Sequence, residues 1–297
     1  MTTLAALVAA ELAEPVDPRV AAMAAAIAAR HGMASRAVLF YGSCLRQKEL
    51  EGLMLDFYLI VSDYPAAYDK RWLATANRLI PPNVFPFTHD GLAAKYAVLS
   101  VDHFLRECSA GARSVSVWAR FAQPVRLVWA EHETSRSLAI QCVADAVQTF
   151  LAMVRTTLSD TEARNPLAIW RRGLQLTYGA ELRSESANRP DLIIDENPER
   201  YLSIAGAAGY PRDQGIDETK ALKFKNYWRH TQRRGKWISV LRLAKASLTF
   251  AGGIDYLAWK ISRHAGVPIA IKPWQRRWPL LGAMVLVPKL LRQGAIR

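Results

Sequence analysis

The sequence predicts an α/β fold: a mixed sheet with helices, followed by a mainly helical region and C-terminal amphipathic helices. Three observations carry this. Two apolar runs, "RAVLFYG" ending at Gly42 and "LDFYLIVSD" beginning at Leu55, have the length and continuity of buried strands. An alanine-rich, helix-prone stretch precedes them over residues 4–32. A long amphipathic stretch over 134–156 is then followed by helical patterns rather than strands.

The elements follow in order. The first helical stretch is broken once, at Pro15-Val16-Asp17-Pro18, and His31-Gly32 closes it in the manner of a C-cap. After the two strands, residues 66–80 read as helix, ended by Pro81-Pro82-Asn83. "KYAVLS" at 95–100, "VSVWARFA" and "PVRLVWA" read as further strands around a short helix at 102–109. Residues 158–235 look helical with loops, and two amphipathic segments follow, at about 236–265 and 279–292. The expected division is 1–155, 156–235 and 236–297.

Composition narrows the setting. The chain is 51% hydrophobic with mean hydropathy −0.01, enough for a sizeable core in 297 residues. Three cysteines without metal or redox spacing suit reduced thiols in a cytosol-like compartment. No secretory signal is visible, and no stretch reaches the roughly 18 uncharged apolar residues of a spanning helix. The net charge is +13, and its position matters more than its size. From Lys220 to Arg297 there are 17 Lys/Arg against one acid, Asp255, while the rest of the chain has 22 basic and 25 acidic residues. The same quarter holds five of nine tryptophans. Basic residues with Trp suit an anionic membrane surface or a nucleic-acid face; a solvated basic tail whose Trp pack on the body is the plainer alternative. The apolar positions Leu241, Leu243, Leu248, Phe250, Ile254, Leu257 and Ile261 argue against nucleic acid and for lipid or a packed core.

The chemistry concentrates in residues 39–61. Gly42-Ser43 ends one strand, and Asp56 opens the next. This is the layout of a nucleotidyltransferase active site. Glycine lets the backbone approach a triphosphate, the turn binds its oxygens, and the carboxylate opposite holds Mg²⁺. A structural turn with a solvated carboxylate is the alternative. The usual second carboxylate, two residues on, is Tyr58 here, which reads as packing. Asp63 and Asp102 are the candidates to replace it, Asp102 being equally a helix cap. Lys95 is a candidate for the triphosphate, against a surface lysine at a strand start. Glu181 and Arg183 are candidates for metal and substrate phosphate, against a surface ion pair. Asn77 and Asn83 are candidate nucleotide contacts, with capping or turn roles equally open.

Seven blocks in order resemble the mitochondrial translocator assembly and maintenance protein family, the peripheral phosphatidate cytidylyltransferases: "FYGSCLRQ", "LMLDFYLIVSD", "WLATANRLIPPNVFPF", "KYAVLSVDHFLRE", "WARFAQPVRLV", "LTYGAELRSESANRPDLIIDENPERY" and "LTFAGGIDYLAWKISRHAG". They span roughly residues 35–265. Departures include Cys44, Leu73, Phe87, Ala180 and Glu181 where the family has other residues. The resemblance implies a polymerase-beta-like sheet, a winged-helix-like domain over 156–235, and a membrane-associating segment over 236–297. It implies transfer from CTP to phosphatidic acid with Mg²⁺, giving CDP-diacylglycerol. The implied roles are Asp56, Lys95 and Glu181 in catalysis; Tyr41, Gly42, Ser43, Asn83 and Lys95 in nucleotide binding; Arg183 on the substrate phosphate; and Asp56 with Asp102 or Asp63 on the metal. The implied location is the inner face of a bacterial cell membrane, or the matrix side of the mitochondrial inner membrane in a eukaryote. A nucleotidyltransferase with another acceptor, or an inactive membrane-attached scaffold motivated by Tyr58, are the rival readings.

Overall fold

A computed structural model describes residues 2–47, 49–181, 189–210, 228–239, 241, 242, 245 and 271–274. The N-terminal stretch folds as two helices, α1 (Leu4–Leu12) and α2 (Pro18–His31). Asp17 caps α2 by accepting from the Arg19 amide, and Pro18 takes the first helical position, where its missing N–H is harmless. Gly32 ends the helix at φ 50°, as the sequence predicts.

Five strands form one mixed sheet: β1 (Ser35–Tyr41), β2 (Met54–Val61), β3 (Asn83–His89), β4 (Leu92–Ser100) and β5 (Val125–Ala130), in the order β3-β4-β2-β1-β5. β2 and β4 run parallel, and the other three pairings are antiparallel. Strand alternation divides the apolar side chains between two cores. Val38, Phe40, Phe57, Leu59, Tyr96 and Val98 face α2. Leu39, Tyr58, Ile60, Ala97 and Leu99 face α1 and α7 (Glu133–Arg155). α7 is long and apolar enough to cross a membrane, but its apolar face is core, with Phe150 and Val154 fully buried.

The structure departs from the predicted elements in three places. The stretch 66–80 is two helices, α3 (Tyr64–Ala67) and α4 (Arg71–Leu79). β3 was not expected; it carries Pro86 and lies at the sheet edge, where a missing N–H costs no ladder bond. "VSVWARFA" is not a strand. It contains the short helix α6 (Trp118–Phe121), which follows α5 (Val101–Cys108), because burying Trp118 and Phe121 against the sheet outweighs β-branched propensity.

Past α7 come α8 (Asp160–Ala163), α9 (Pro166–Gly179), α10 (Arg189–Asp195) and α11 (Pro198–Ala207), then helical residues 228–239, 241, 242 and 245. Among the described residues of 156–235 every regular element is helical. These helices share one continuous core with the sheet: Ile169, Trp170, Leu174, Ile194, Ile204 and Trp228 belong to the cluster that includes Tyr58 and Leu99. Trp170 stacks on Phe150 at 4.7 Å between centroids. Of the basic quarter's tryptophans, Trp228 packs on Trp118 and donates to the Met153 carbonyl, whereas Trp237 is 71% exposed. Of the amphipathic segment expected at about 236–265, residues 236–239, 241, 242 and 245 are helical, while 246–270 and 275–297, with the second expected segment, lie outside the described residues.

Candidate active site

The sheet register builds the site. Tyr41 at the end of β1 pairs with Asp56 near the start of β2, and Asp56 pairs with Lys95 on β4. Alternation turns Asp56, Tyr58 and Lys95 to the same sheet face. Gly42 has φ 94° and ψ −167°, a region essentially confined to glycine. A Cβ there would lie 3.4 Å from Asp56 Oδ2, so the turn backbone lies directly against the carboxylate. A single 3₁₀ turn, Ser43–Arg46, follows, leaving Ser43 exposed beside the carboxylate. Lys95 Nζ stands 3.0 Å from Asp56 Oδ1, both side chains being about one-fifth to one-quarter exposed. That oxygen is buried and accepts no well-aligned hydrogen bond among the described residues. Lys95 therefore balances it as a point charge.

A second layer comes from the helices. Arg120 on α6 donates to the Tyr58 hydroxyl at 3.1 Å and the Ser116 carbonyl at 3.3 Å, and lies over the Tyr41 ring at 5.4 Å. Its guanidinium is 3.7 Å from Glu181, just past the end of α9. Burial works against the Arg120 charge, but Tyr58, Tyr41 and Glu181 together hold its pKa above the ordinary value. Burial raises the Tyr41 phenol well above its usual range, and Asp56 adds to this, so Tyr41 serves as a neutral wall of the site. Glu181 thus joins Asp56, Lys95, Tyr41, Gly42 and Ser43 in one region, as the sequence expected.

Other expected residues stand elsewhere. Asp63 caps α3 by accepting from the Ala66 amide. It lies seven residues along from Asp56, roughly 20 Å by strand rise. Asp102 is exposed in the first turn of α5, past Ser100, which pairs with Val61 at the far end of the parallel pair. Ser100, not Asp102, caps that helix. Neither aspartate is a second ligand beside Asp56. Asn83 is fully buried at the start of β3: its amide N–H donates to Asn77 Oδ1 and its side chain to the Leu73 carbonyl, a structural clip rather than a nucleotide contact. Asn77 is equally buried and donates to Tyr68 and the Val98 carbonyl. Arg183 lies outside the described residues.

Three residues that the sequence did not single out belong here. Arg120 escaped because its stretch read as strand. Arg242 donates to Ser116 Oγ beside Arg120. Arg46, in the turn after Ser43, pairs at 2.6 Å with Glu196, which ties the turn to the segment before α11.

Magnesium is held by one or two carboxylates, completed by water and substrate phosphates. Asp56 Oδ1, buried and without an aligned donor, fits one such ion. No group of three His, Cys, Asp or Glu side chains able to hold a metal occurs among the described residues. The residues fit one ion carried in with a phosphate ligand, not an all-protein pair of metal sites.

No protein-family model matches the chain, and no curated protein matches it. Among solved structures, a nucleotidyltransferase-like protein from Exiguobacterium sibiricum 255-15 aligns over 93% of this chain and 92% of its own, at 9% identity and a TM-score of 0.29. At that level the reading of the site rests on its own geometry. The fold is a mixed α/β sheet covered by helices on both faces.

Proposed function

We propose that the protein is a nucleotidyltransferase that joins CTP to phosphatidic acid, releasing CDP-diacylglycerol and pyrophosphate at an anionic membrane surface. The observation that carries the reaction class is the Gly42 backbone against the Asp56 carboxylate, with Lys95 beside it. The identities of nucleotide and acceptor come from the sequence resemblance.

The Gly42-Ser43 turn receives the triphosphate, and Lys95 exchanges from Asp56 to the phosphate oxygens as the nucleotide binds. A phosphatidate oxygen attacks the α-phosphorus in line. The new P–O bond forms as the α–β bridge breaks, and its electron pair leaves on pyrophosphate. Such transfers are mostly positioning plus electrostatic stabilisation. A Mg²⁺ held by Asp56, when bound, neutralises charge on the leaving pyrophosphate. Tyr58 and Arg120 wall the site, and Arg120 orients Glu181. The basic, Trp-bearing last quarter brings the site to a lipid that cannot leave the bilayer.

The test is pyrophosphate release from CTP with Mg²⁺ and phosphatidate liposomes, for wild type and Asp56→Asn. Release that needs both substrates and falls at least about a hundredfold in the variant is expected, since one charge-placing group is commonly worth that much. Release without phosphatidate, or unaffected by the substitution, overturns the assignment. A second reading, a non-catalytic membrane scaffold, draws on Tyr58: its hydroxyl is bound to Arg120 where a second acid would stand. Liposome binding with no turnover of any nucleotide would favour it.

A further inference from the structure

Arg242 carries an unusual set of partners. Its Nε donates to the Pro81 carbonyl at 2.7 Å, Nη1 to Ser116 Oγ at 2.7 Å and Nη2 to Ser114 Oγ at 3.3 Å. Every partner is neutral, and among the described residues no carboxylate lies within ion-pair distance of it. A guanidinium has five N–H donors, so two remain beyond these three bonds among the described residues. Arg120, bound to the Ser116 carbonyl, is its neighbour. Burial lowers the Arg242 pKa, and Arg120 adds to this, while Tyr58, Glu181 and Glu107 act in the opposite sense. Two guanidiniums thus converge on one serine, with Glu181 set 3.7 Å from the first and Glu107 acting on the second from beyond ion-pair distance. A part-buried guanidinium held by neutral groups keeps its charge for an anion, and a second one beside it reinforces that.

The structure also separates this arrangement from simple docking. Lys245, one turn on, donates to the Ile80 and Pro82 carbonyls and is nearly fully buried. These carbonyls follow the C-terminus of α4, the end of a helix that favours a cation. Lys245 therefore has a sufficient structural reason to be there. Arg242 takes the carbonyl between them, that of Pro81, but turns the rest of its fork to Ser114 and Ser116, beside Arg120.

We infer that Arg120 and Arg242, bridged by Ser116 and flanked by Ser114, form a seat for a dianionic phosphate group, separate from the Gly42 turn. Within the transferase reading, on which the ligand's identity rests, this phosphate is that of the acceptor. The planar forks suit a phosphomonoester, which presents three oxygens and two charges. Seating it beside Glu181, across Tyr41 and Tyr58 from Asp56, sets the acceptor on the opposite side of the site from the triphosphate turn.

The test is calorimetric titration of the full chain with inorganic phosphate, CTP and soluble dihexanoyl phosphatidate, for wild type, Arg242→Gln and Lys245→Gln. Arg242→Gln keeps a hydrogen-bonding side chain but removes the charge. Phosphate and phosphatidate should weaken about tenfold or more in Arg242→Gln, with CTP within about twofold and Lys245→Gln like wild type. If phosphate and CTP weaken together while phosphatidate does not, the seat holds the nucleotide's phosphates and its assignment to the acceptor is overturned. Unchanged phosphate affinity in Arg242→Gln, equal weakening in both variants, or no phosphate binding by wild type overturns the seat. Phenylglyoxal labelling of Arg242 in wild type, read by mass spectrometry, covers a variant that fails to fold: phosphate should slow labelling at least about fivefold, and no protection refutes the seat. Phosphate binding that depends on Arg242 in a protein that releases no pyrophosphate would leave the seat intact and sink the transferase reading alone.

Discussion

Gly42 shows how one residue type can commit a site. Its φ of 94° demands the absence of a side chain, and a Cβ there would come into van der Waals contact with Asp56 Oδ2, at 3.4 Å. Gly42→Ala should cost about 1–3 kcal/mol in strain and weaken CTP binding, with the far-UV circular dichroism retained. A thermal melt alongside CTP titration checks both. His103 gives a pH prediction. It is buried, hydrogen-bonded to the Tyr64 hydroxyl at 2.6 Å, and burial with Arg106 and Arg113 nearby pulls its pKa to about 4. An unfolded histidine titrates near 6.5. The unfolded chain thus binds the extra proton between those values, so stability is full above pH 6.5 and declines as pH falls towards 4. Melting temperatures across that window should fall less steeply for His103→Gln than for wild type. Gly42, Ser43 and Asp56 were legible in the sequence because a glycine-serine turn between two apolar runs is a local signal. Asp63 and Asp102 misled because helix capping and metal binding ask for the same residue types. Only the parallel register, Val61 against Ser100, reveals that both lie at the far end of the sheet.

Elements tell the same story through packing. β1, β2, β4 and β5 were readable because their apolar runs are continuous and bounded by turns. β3 was hidden by Pro86, which an edge position tolerates, and α6 by residues that favour strands when considered alone. Arg120 was lost with α6, since its reach to Tyr58 and Glu181 depends on helical geometry. The helix over 228–239 makes a comparably close contact at Gly235. A Cβ there would meet the Ala180 carbonyl oxygen at 2.3 Å, immediately before Glu181. Gly235→Ala should cost about 1–3 kcal/mol, as overpacking against backbone does, and should displace Glu181. A lowered melting temperature together with weakened phosphate binding is the expected pair of results; a lowered melt alone would limit the contact to a structural role.

At the scale of the whole molecule, the predicted boundary near residue 155 does not coincide with a boundary of the core. Phe150 belongs to α7 and Trp170 to α9, yet they stack, and Trp170 donates to the Tyr201 carbonyl at 2.9 Å. Trp170→Ala should destabilise the protein by about 3–5 kcal/mol, measured by denaturant unfolding. Both sheet and helices should be lost in one transition, as a shared core requires. Composition could suggest a change from strands to helices at that point, but not that both would be buried against α7. The grip of Arg242 and Lys245 on the carbonyls of residues 80–82 has a consequence for biosynthesis. All five strands have been synthesised by residue 130, but the proposed anion seat waits for Arg242. Contacts so distant along the chain are slow to close. A nascent chain should therefore carry the residues of the Gly42 turn and Asp56 long before it carries those of a second phosphate site.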